Sequence, residues 1–275
     1  MAKKCILITG CSSGIGYHCA KRLQEEDEFE VIASVRKEED VERLISEGFK
    51  TVLIDVDSSS SINDGFKEAL EICKGDLFAL FNNAGYGQPG AVEDLSRVSL
   101  KEQFETNVFG NLELTNLALR LFRERGEGRI IQNSSVLGFI SFKYRGAYNA
   151  SKFALEALSD ALRVELKGSD IYVSLIEPGP IKSSFRKNAY KKFKEHIDME
   201  KSYHKEAYKN SIKRFESDKD DPFTLTSEAV YVELKKILKS KKPKDRYRVT
   251  IPTKLFWYLK RVLPVCLLDE IVDRV

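Results

Sequence analysis

The chain has 275 residues, 42% of them hydrophobic and 10% aromatic, with 45 Lys and Arg against 42 Asp and Glu. This is enough apolar material for a sizeable core and excludes general disorder. The nearly balanced charge, formally +3, excludes the polybasic character behind sequence-independent nucleic-acid binding, so no nucleic-acid partner is expected.

The first apolar run, Cys5 to Thr9, is too short for a leader's hydrophobic core, and the chain reads as starting directly with a strand. Five further β-branched or apolar runs follow at Val31 to Val35, Thr51 to Asp55, Leu77 to Asn82, Gly128 to Asn133 and Ile171 to Ile176. They are mostly apolar rather than alternating, as strands covered on both faces should be. Between them lie amphipathic stretches at Ile15 to Glu26, Glu38 to Glu47, Ser60 to Cys73, Ser99 to Arg125 and Gly146 to Lys167. Gly48, Gly75, Gly126 and Gly168 stand just past the last four, where a left-handed cap belongs. This alternation predicts an α/β fold, a doubly wound sheet of six parallel strands.

The pattern changes after Pro180. Arg186 to Arg214 carries ten Lys or Arg against four acids, interleaved with Phe and Tyr. It reads as a solvated helical insertion or as a lid whose apolar side touches substrate. Asp220, Asp221 and Pro222 break it, and Ser227 to Leu238 resumes a helical pattern. The apolar tail from Ile251 to Leu268 is interrupted by Lys254, Lys260, Arg261 and Pro264, which excludes a membrane span. It predicts a helix packed on the body or on another subunit, with an amphipathic helix at a membrane surface as the alternative.

Gly10-Cys-Ser-Ser-Gly14-Ile-Gly16 follows the first strand and opens the first helix. Glycines there let the backbone approach a pyrophosphate, and helix N-terminal amides favour the anion. The end of the second strand carries Arg36 and Lys37 where an acid would hold a free ribose 2′-hydroxyl. That predicts a 2′-phosphate, hence NADP(H), with Ser12 as a further phosphate contact. Tyr148 and Lys152 stand four apart on one helix face, and the nearby cation should lower the phenol pKa. The same spacing occurs at Tyr17/Lys21, Tyr190/Lys194 and Tyr231/Lys235. Only Tyr148 follows a strand ending in Ser134-Ser135, where open α/β sheets bind ligands.

Assembled, these residues resemble the short-chain dehydrogenase/reductase family. The matching elements are Thr9-Gly-x-x-x-Gly-Ile-Gly16, Asp55-Val56, Asn82-Asn-Ala-Gly85, Asn107, Ser135, Tyr148-x-x-x-Lys152 and Pro178-Gly179, over about residues 4 to 183. Within the family the chain looks like the bacterial NADP-dependent aldehyde reductases related to retinol and 17β-hydroxysteroid dehydrogenases. The resemblance implies a Rossmann-like fold in three α/β/α layers, one domain over 1–275 with a lid insertion at 184–222 and a helical tail at 251–275.

It also implies roles. Tyr148 is the general acid/base, Lys152 holds the nicotinamide ribose, Ser135 binds the substrate oxygen, and Asn107 positions a water relaying protons to Lys152. Gly10, Ser12, Ser13, Gly14, Ile15, Gly16, Arg36, Lys37, Asp55, Val56, Asn83, Ala84, Gly85, Pro178, Gly179, Ile181 and Ser183 join Tyr148 and Lys152 around NADP(H). Ser183 stands where the family commonly has Thr. Phe139 and Phe142, with Ser135 and Tyr148, favour a hydrophobic aldehyde, ketone or alcohol. The alternative is a catalytically idle NADP(H)-binding sensor or scaffold. A homodimer or homotetramer through the helices at 99–125 and 146–167 is implied. His18, His196 and His204 read as surface residues, with no metal site expected. The five cysteines, in neither metal-ligand nor disulfide spacing, fit a reducing, cytoplasmic setting.

Overall fold

The first strand, β1 (Lys4–Ile8), sends Ile6 and Ile8 into one apolar cluster and Cys5 and Leu7 into a second on the opposite face. A two-residue repeat produces this when a strand is covered on both sides. In this computed structural model, which describes residues 3–217 and 219–274, the same pattern recurs across the sheet. Met1, Ala2, Asp218 and Val275, which fall within the expected domain, lid or tail, lie outside the described residues.

The elements continue as α1 (Gly14–Glu26), β2 (Phe29–Val35), α2 (Glu38–Ser46), β3 (Lys50–Leu53), α3 (Ser59–Ile72), β4 (Leu77–Asn82), α4 (Arg97–Phe104), α5 (Gly110–Arg125) and β5 (Glu127–Asn133). After these come α6 (Gly146–Glu165), β6 (Asp170–Glu177), α7 (Phe185–His196), α8 (Lys205–Glu216), α9 (Glu228–Lys239), β7 (Arg246–Arg248), α10 (Ile251–Val262) and α11 (Val265–Asp273). The strands pair in the order β3-β2-β1-β4-β5-β6-β7, every pair parallel. Helices α1, α2 and α9 cover one face, and α3, α5 and the end of α6 the other. The fold is a Rossmann-like three-layer α/β/α arrangement, and Gly48, Gly75, Gly126 and Gly168 all take left-handed conformations.

Two features correct the sequence reading. The sheet has a seventh strand, β7, which is short and flanked by charge, so no apolar run announces it. Its arginines are held by ion pairs: Arg246 Nε lies 3.0 Å from Glu177, its Nη2 2.7 Å from Asp160, and Arg248 Nε 3.0 Å from Glu177. The expected single helix from Ser99 to Arg125 is interrupted by one π-helical turn, Glu105–Phe109, between α4 and α5. Such turns insert one residue and re-aim those around it. Immediately after it, α5 passes so close to the end of β3 that a methyl group on Gly110 would lie 1.9 Å from the Val56 carbonyl oxygen.

The basic segment forms α7 and α8, with Phe193, Ile197 and Tyr208 buried against Ala91. Its charges meet acids of the body. Lys192 and His196 reach Glu102 at 2.8 and 3.0 Å, His204 reaches Glu93 at 2.6 Å, and Tyr208 bonds Asp94. The tail is two helices divided at Pro264, of which α10 buries Thr253 and Phe256 and α11 buries no side chain fully. No helix among the described residues is long and apolar enough to cross a membrane.

Gly110→Ala is expected to lower stability by about 3 kcal/mol through overpacking against backbone that cannot yield. Gly126→Ala, at a left-handed cap with open space around it, should cost only about 1 kcal/mol. Urea denaturation of the two variants checks the order.

Candidate active site

Thr9, at the end of β1, lies fully buried, and its hydroxyl accepts from the Asn83 and Ala84 amides, both at 2.9 Å. The loop after β4 is thereby clamped over the Gly-rich turn. Asn83 Nδ2 donates to the Thr9 carbonyl at 2.8 Å, and Asn83 Oδ1 accepts from Asn133 Nδ2 at 2.9 Å. Gly10 has φ +71 with a methyl position 2.9 Å from Ala84 Cα, and Gly14 has φ +63 with a methyl position 3.2 Å from Ser183 Cβ. The turn takes this path only without side chains. Helix α1 starts at Gly14 with no side-chain cap from Ser13 and no acid in its first turn, so the amides of Gly14, Ile15 and Gly16 are available to an anion.

Beside that turn, Ser12 and Arg36 are exposed, and Lys37 pairs with Glu39 at 2.8 Å. Arg43, which sequence reasoning missed, donates from Nη2 to the Ser12 carbonyl at 2.8 Å while paired with Asp40 at the same distance. It lies two turns into α2, and only the fold of that helix against the Gly-rich turn brings it here. Asp55 accepts from the Asp57 amide at 3.1 Å, and Val56 is buried under Gly110.

The second half of the site forms where β5 ends and α6 begins. Ser134 turns its hydroxyl away to Glu156. Ser135 accepts from the Leu137 amide at 3.1 Å and faces the Tyr148 hydroxyl, whose ionisation it favours. Lys152, 5% exposed, donates to the Asn133 carbonyl at 2.7 Å, with its Nζ 5.8 Å from the Tyr148 ring centre. Asn107, in the π turn, is fully buried and spends its side chain on the chain itself. Its Oδ1 accepts from the Tyr86 amide at 3.1 Å, and its Nδ2 donates to the Tyr86 carbonyl at 2.9 Å and to Ser151 Oγ at 3.0 Å. Gly85 keeps open the space between them: a methyl there would lie 3.0 Å from Asn107 Oδ1 and 3.9 Å from Lys152 Nζ.

One expectation about this cluster is reversed. The Tyr148 hydroxyl is pushed up to about 12, because burial disfavours the phenolate more than its neighbours favour it. The Ser135 hydroxyl and the Arg145 guanidinium are what pull it back, whereas Lys152 is turned to Asn133. Burial likewise pushes the Lys152 ammonium down to about 8.

Past the end of β6, the Pro178 carbonyl accepts from the Val136 amide at 2.8 Å, and Gly179 lies where a methyl would come within 2.2 Å of Thr250 Oγ1. Ile181 is bridged to Leu225, and Ser183 accepts from the Phe185 amide at 3.3 Å. Phe139, Phe142 and Tyr148 pack with Phe256, Leu259 and Leu268 of the tail, the Phe142 and Phe256 rings 5.5 Å apart. Phe185, which residue patterns did not single out, stands edge-on to the Tyr148 ring at 5.3 Å.

The residues fit a dinucleotide: the open α1 amides, the cradle at Gly10 and Gly14 that side chains would fill, and the space over Lys152 at Gly85 all stand at the carboxyl ends of β1, β4 and β5. The histidines are not simple surface residues. All three are partly buried and paired with carboxylates, His18 with Glu228 at 2.7 Å. Glu102, Glu195 and His196 converge closely enough to hold a cation, but the Lys192 ammonium takes that place, 2.8 Å from Glu102 and 3.0 Å from Glu195.

The Lys152 shift has a thermodynamic sign. Between about pH 8 and the ordinary lysine range, the unfolded chain holds a proton the folded one has lost, so stability rises with pH there. Relative to Lys152→Met, the parent should gain on the order of 2–3 kcal/mol across that window in the unliganded state. Denaturation curves at pH 7.5 and pH 10 check this, and a parallel response of both proteins would count against it.

A model of the short chain dehydrogenase family matches residues 4–194. The uncharacterized oxidoreductase YbbO of Escherichia coli (strain K12) is 43% identical over 278 residues, 98% of this chain and 94% of its own. Retinol dehydrogenase 8 of Homo sapiens is 34% identical over 189 residues, 67% of this chain and 61% of its own. Among solved structures, a short-chain dehydrogenase from Streptomyces avermitilis superposes with a TM-score of 0.76 at 26% identity, over 95% of this chain and 94% of that one. The matched span runs from β1 into α7 and takes in the Gly-rich turn, Asn107, Ser135, Tyr148 and Lys152, and the chain belongs to the short-chain dehydrogenase family of oxidoreductases.

Proposed function

We propose that the protein is an NADP(H)-dependent reductase that interconverts a hydrophobic aldehyde or ketone and its alcohol. The observation that carries this reading is the half-buried Tyr148 hydroxyl facing Ser135, with Lys152 fixed on the Asn133 carbonyl beside the glycine cradle. A bound nicotinamide supplies the hydride chemistry.

The chain's own residues do the rest. The first-turn amides of α1, with Gly10 and Gly14 beneath them, receive the pyrophosphate, and Gly16, Asn83, Ala84, Gly85, Pro178, Gly179, Ile181 and Ser183 shape the cleft. Asp55 and Val56 border the adenine end. Arg36, exposed and in no ion pair among the described residues, is the cation that suits a 2′-phosphate, with Ser12, Lys37 and Arg43 as neighbouring donors.

Ser135 orients the substrate oxygen by a hydrogen bond, and Tyr148 gives it a proton from Oη. Tyr148, pushed up to about 12 by burial, carries its proton throughout the neutral range, as the donor in carbonyl reduction must. Lys152 presents its ammonium beside the phenol, and Asn107, through both amide atoms on Tyr86, holds the loop over Lys152. Phe139, Phe142 and Phe185 exclude water from the reacting atoms, and the likeness to a retinol dehydrogenase supports an apolar substrate.

The exposed apolar residues Phe109, Leu158 and Val164 on the π turn and α6 support a homodimer. A cytoplasmic setting belongs to the same reading, supported by the buried thiols Cys5, Cys11, Cys19 and Cys73.

Tyr148→Phe is expected to lower turnover by roughly 10²–10⁴-fold while NADPH binding stays at the parental value. An absorbance assay with aldehydes, ketones, retinoids and steroids, with fluorescence titration of NADPH, checks both halves. Absence of turnover with every carbonyl while NADPH still binds would overturn the reductase reading. Arg36→Asp should weaken NADPH by roughly 10- to 100-fold and leave NADH almost unchanged. Equal affinities for the two cofactors, unchanged from the parent, would refute the phosphate assignment.

A further inference from the structure

Near Tyr148, and sharing only Phe142 with the groups assigned above, lies a cavity of about 320 Å³ between the lid and the loop that leads into α6. Its size is at the lower end of small-molecule sites. Phe142, Tyr144, Phe193, Tyr208 and Phe215 give it aromatic walls, and Val272 of the tail closes one side. Its charged lining is entirely cationic: Lys143, Arg145 and Arg214.

These three cations are not equivalent. Lys143 is paired with Asp273 at 2.8 Å. Arg214 is paired with both oxygens of Asp221, at 3.1 and 2.7 Å. Asp221 also takes Arg186 at 3.1 Å, and Arg186 spends its Nη1 on the Ser217 and Lys219 carbonyls. That single carboxylate is therefore already shared by two guanidiniums. Arg145, the residue that caps α6 three positions before Tyr148, has neither an ion pair nor a side-chain hydrogen bond among the described residues. Burial and the repulsion of Arg214 push it down to about 10, which leaves it charged at neutral pH. Asp221 attracts it only from beyond ion-pair distance; a half-buried cation in no direct pair is costly to keep, and a planar guanidinium matches a carboxylate through two parallel hydrogen bonds.

We infer that this cavity receives the far end of the substrate and that Arg145 binds a carboxylate there, so that the substrate is a carbonyl compound whose apolar stem ends in an acid group. The inference rests on the reductase reading for the reacting end, and on Arg145 and the cavity alone for the distal end. The aromatic walls accept the stem, and Tyr148, three residues along the same helix, marks where the carbonyl stands.

The test uses the full chain saturated with NADPH, with which neither probe can react, and two probes, octanoate and 1-octanol, followed by isothermal titration calorimetry. Octanoate should bind roughly 10- to 100-fold more tightly than octanol, and Arg145→Gln should remove that preference while NADPH affinity remains parental. In turnover with NADPH, the ratio of kcat/KM for 8-oxooctanoate to that for octanal should fall by a similar factor in Arg145→Gln, mainly through KM. Arg145→Lys should restore part of the ratio. Octanoate binding no tighter than octanol in the parent would overturn the inference, as would an octanoate affinity unmoved by Arg145→Gln. If that variant does not fold, the parent's preference between the two probes decides the matter. Failure to reduce either aldehyde is a failure of the reductase reading, and the octanoate result stands apart from it.

Discussion

A line of side-chain hydrogen bonds crosses the carboxyl edge of the sheet, and the candidate site is built on it. The Thr9 hydroxyl holds the Asn83 and Ala84 amides, Asn83 holds Asn133, and the Asn133 carbonyl holds the Lys152 ammonium. Parallel strands present their carboxyl ends side by side, but nothing in strand pairing fixes the loops that follow them. Here each loop is bonded to the next by a buried or partly buried polar group that would be costly to leave without a partner. The cleft along β1, β4 and β5 and the start of α6 are thus set by one connected network. The π turn adds Asn107 to it from the far side, through the Tyr86 backbone.

Most of the sheet and all of the major α/β helices were legible in the sequence because they follow from apolar periodicity. The Gly-rich turn was legible because only glycine accepts such proximity to Ala84 and Ser183. Strand β7 was not, since its three residues Arg-Tyr-Arg are held by ion pairs with Glu177, Glu156 and Asp160, partners that only the fold assembles. The π turn was hidden because its residues keep a helical pattern. Tyr148 and Lys152 were singled out by their place after the strand ending in Ser134-Ser135, but the direction of the phenol's shift was not legible. Spacing reports a cation nearby, whereas burial and the direction in which Lys152 points decide the balance. Arg43 was missed because it meets the Gly-rich turn across a gap in the chain that periodicity does not see, whereas Arg145 and Phe185 fell inside segments expected to border the pocket without being singled out.

The basic segment shows how composition alone misleads. Many of its lysines do face water, yet Lys192, His196 and His204 are the complement of Glu93 and Glu102 on the body, and Tyr208 is the complement of Asp94 and Ala91. Partly buried contacts of this kind hold α7 and α8 in a defined place over an apolar seam. The surplus charge that stays near Asp221 lies on the inner side of the same segment, next to the loop that leads into α6.

The order of the parts along the chain has its own consequence. The cradle and the cluster of Ser135, Tyr148 and Lys152, with the Pro178 to Ser183 turn that borders them, are complete by residue 183, whereas α7, α8, α10 and α11, which enclose the outer space, all come later. Sequence drift in the last third can therefore re-tailor what is admitted without disturbing the machinery laid down before it. A lineage of such chains would diversify by rewriting its ending.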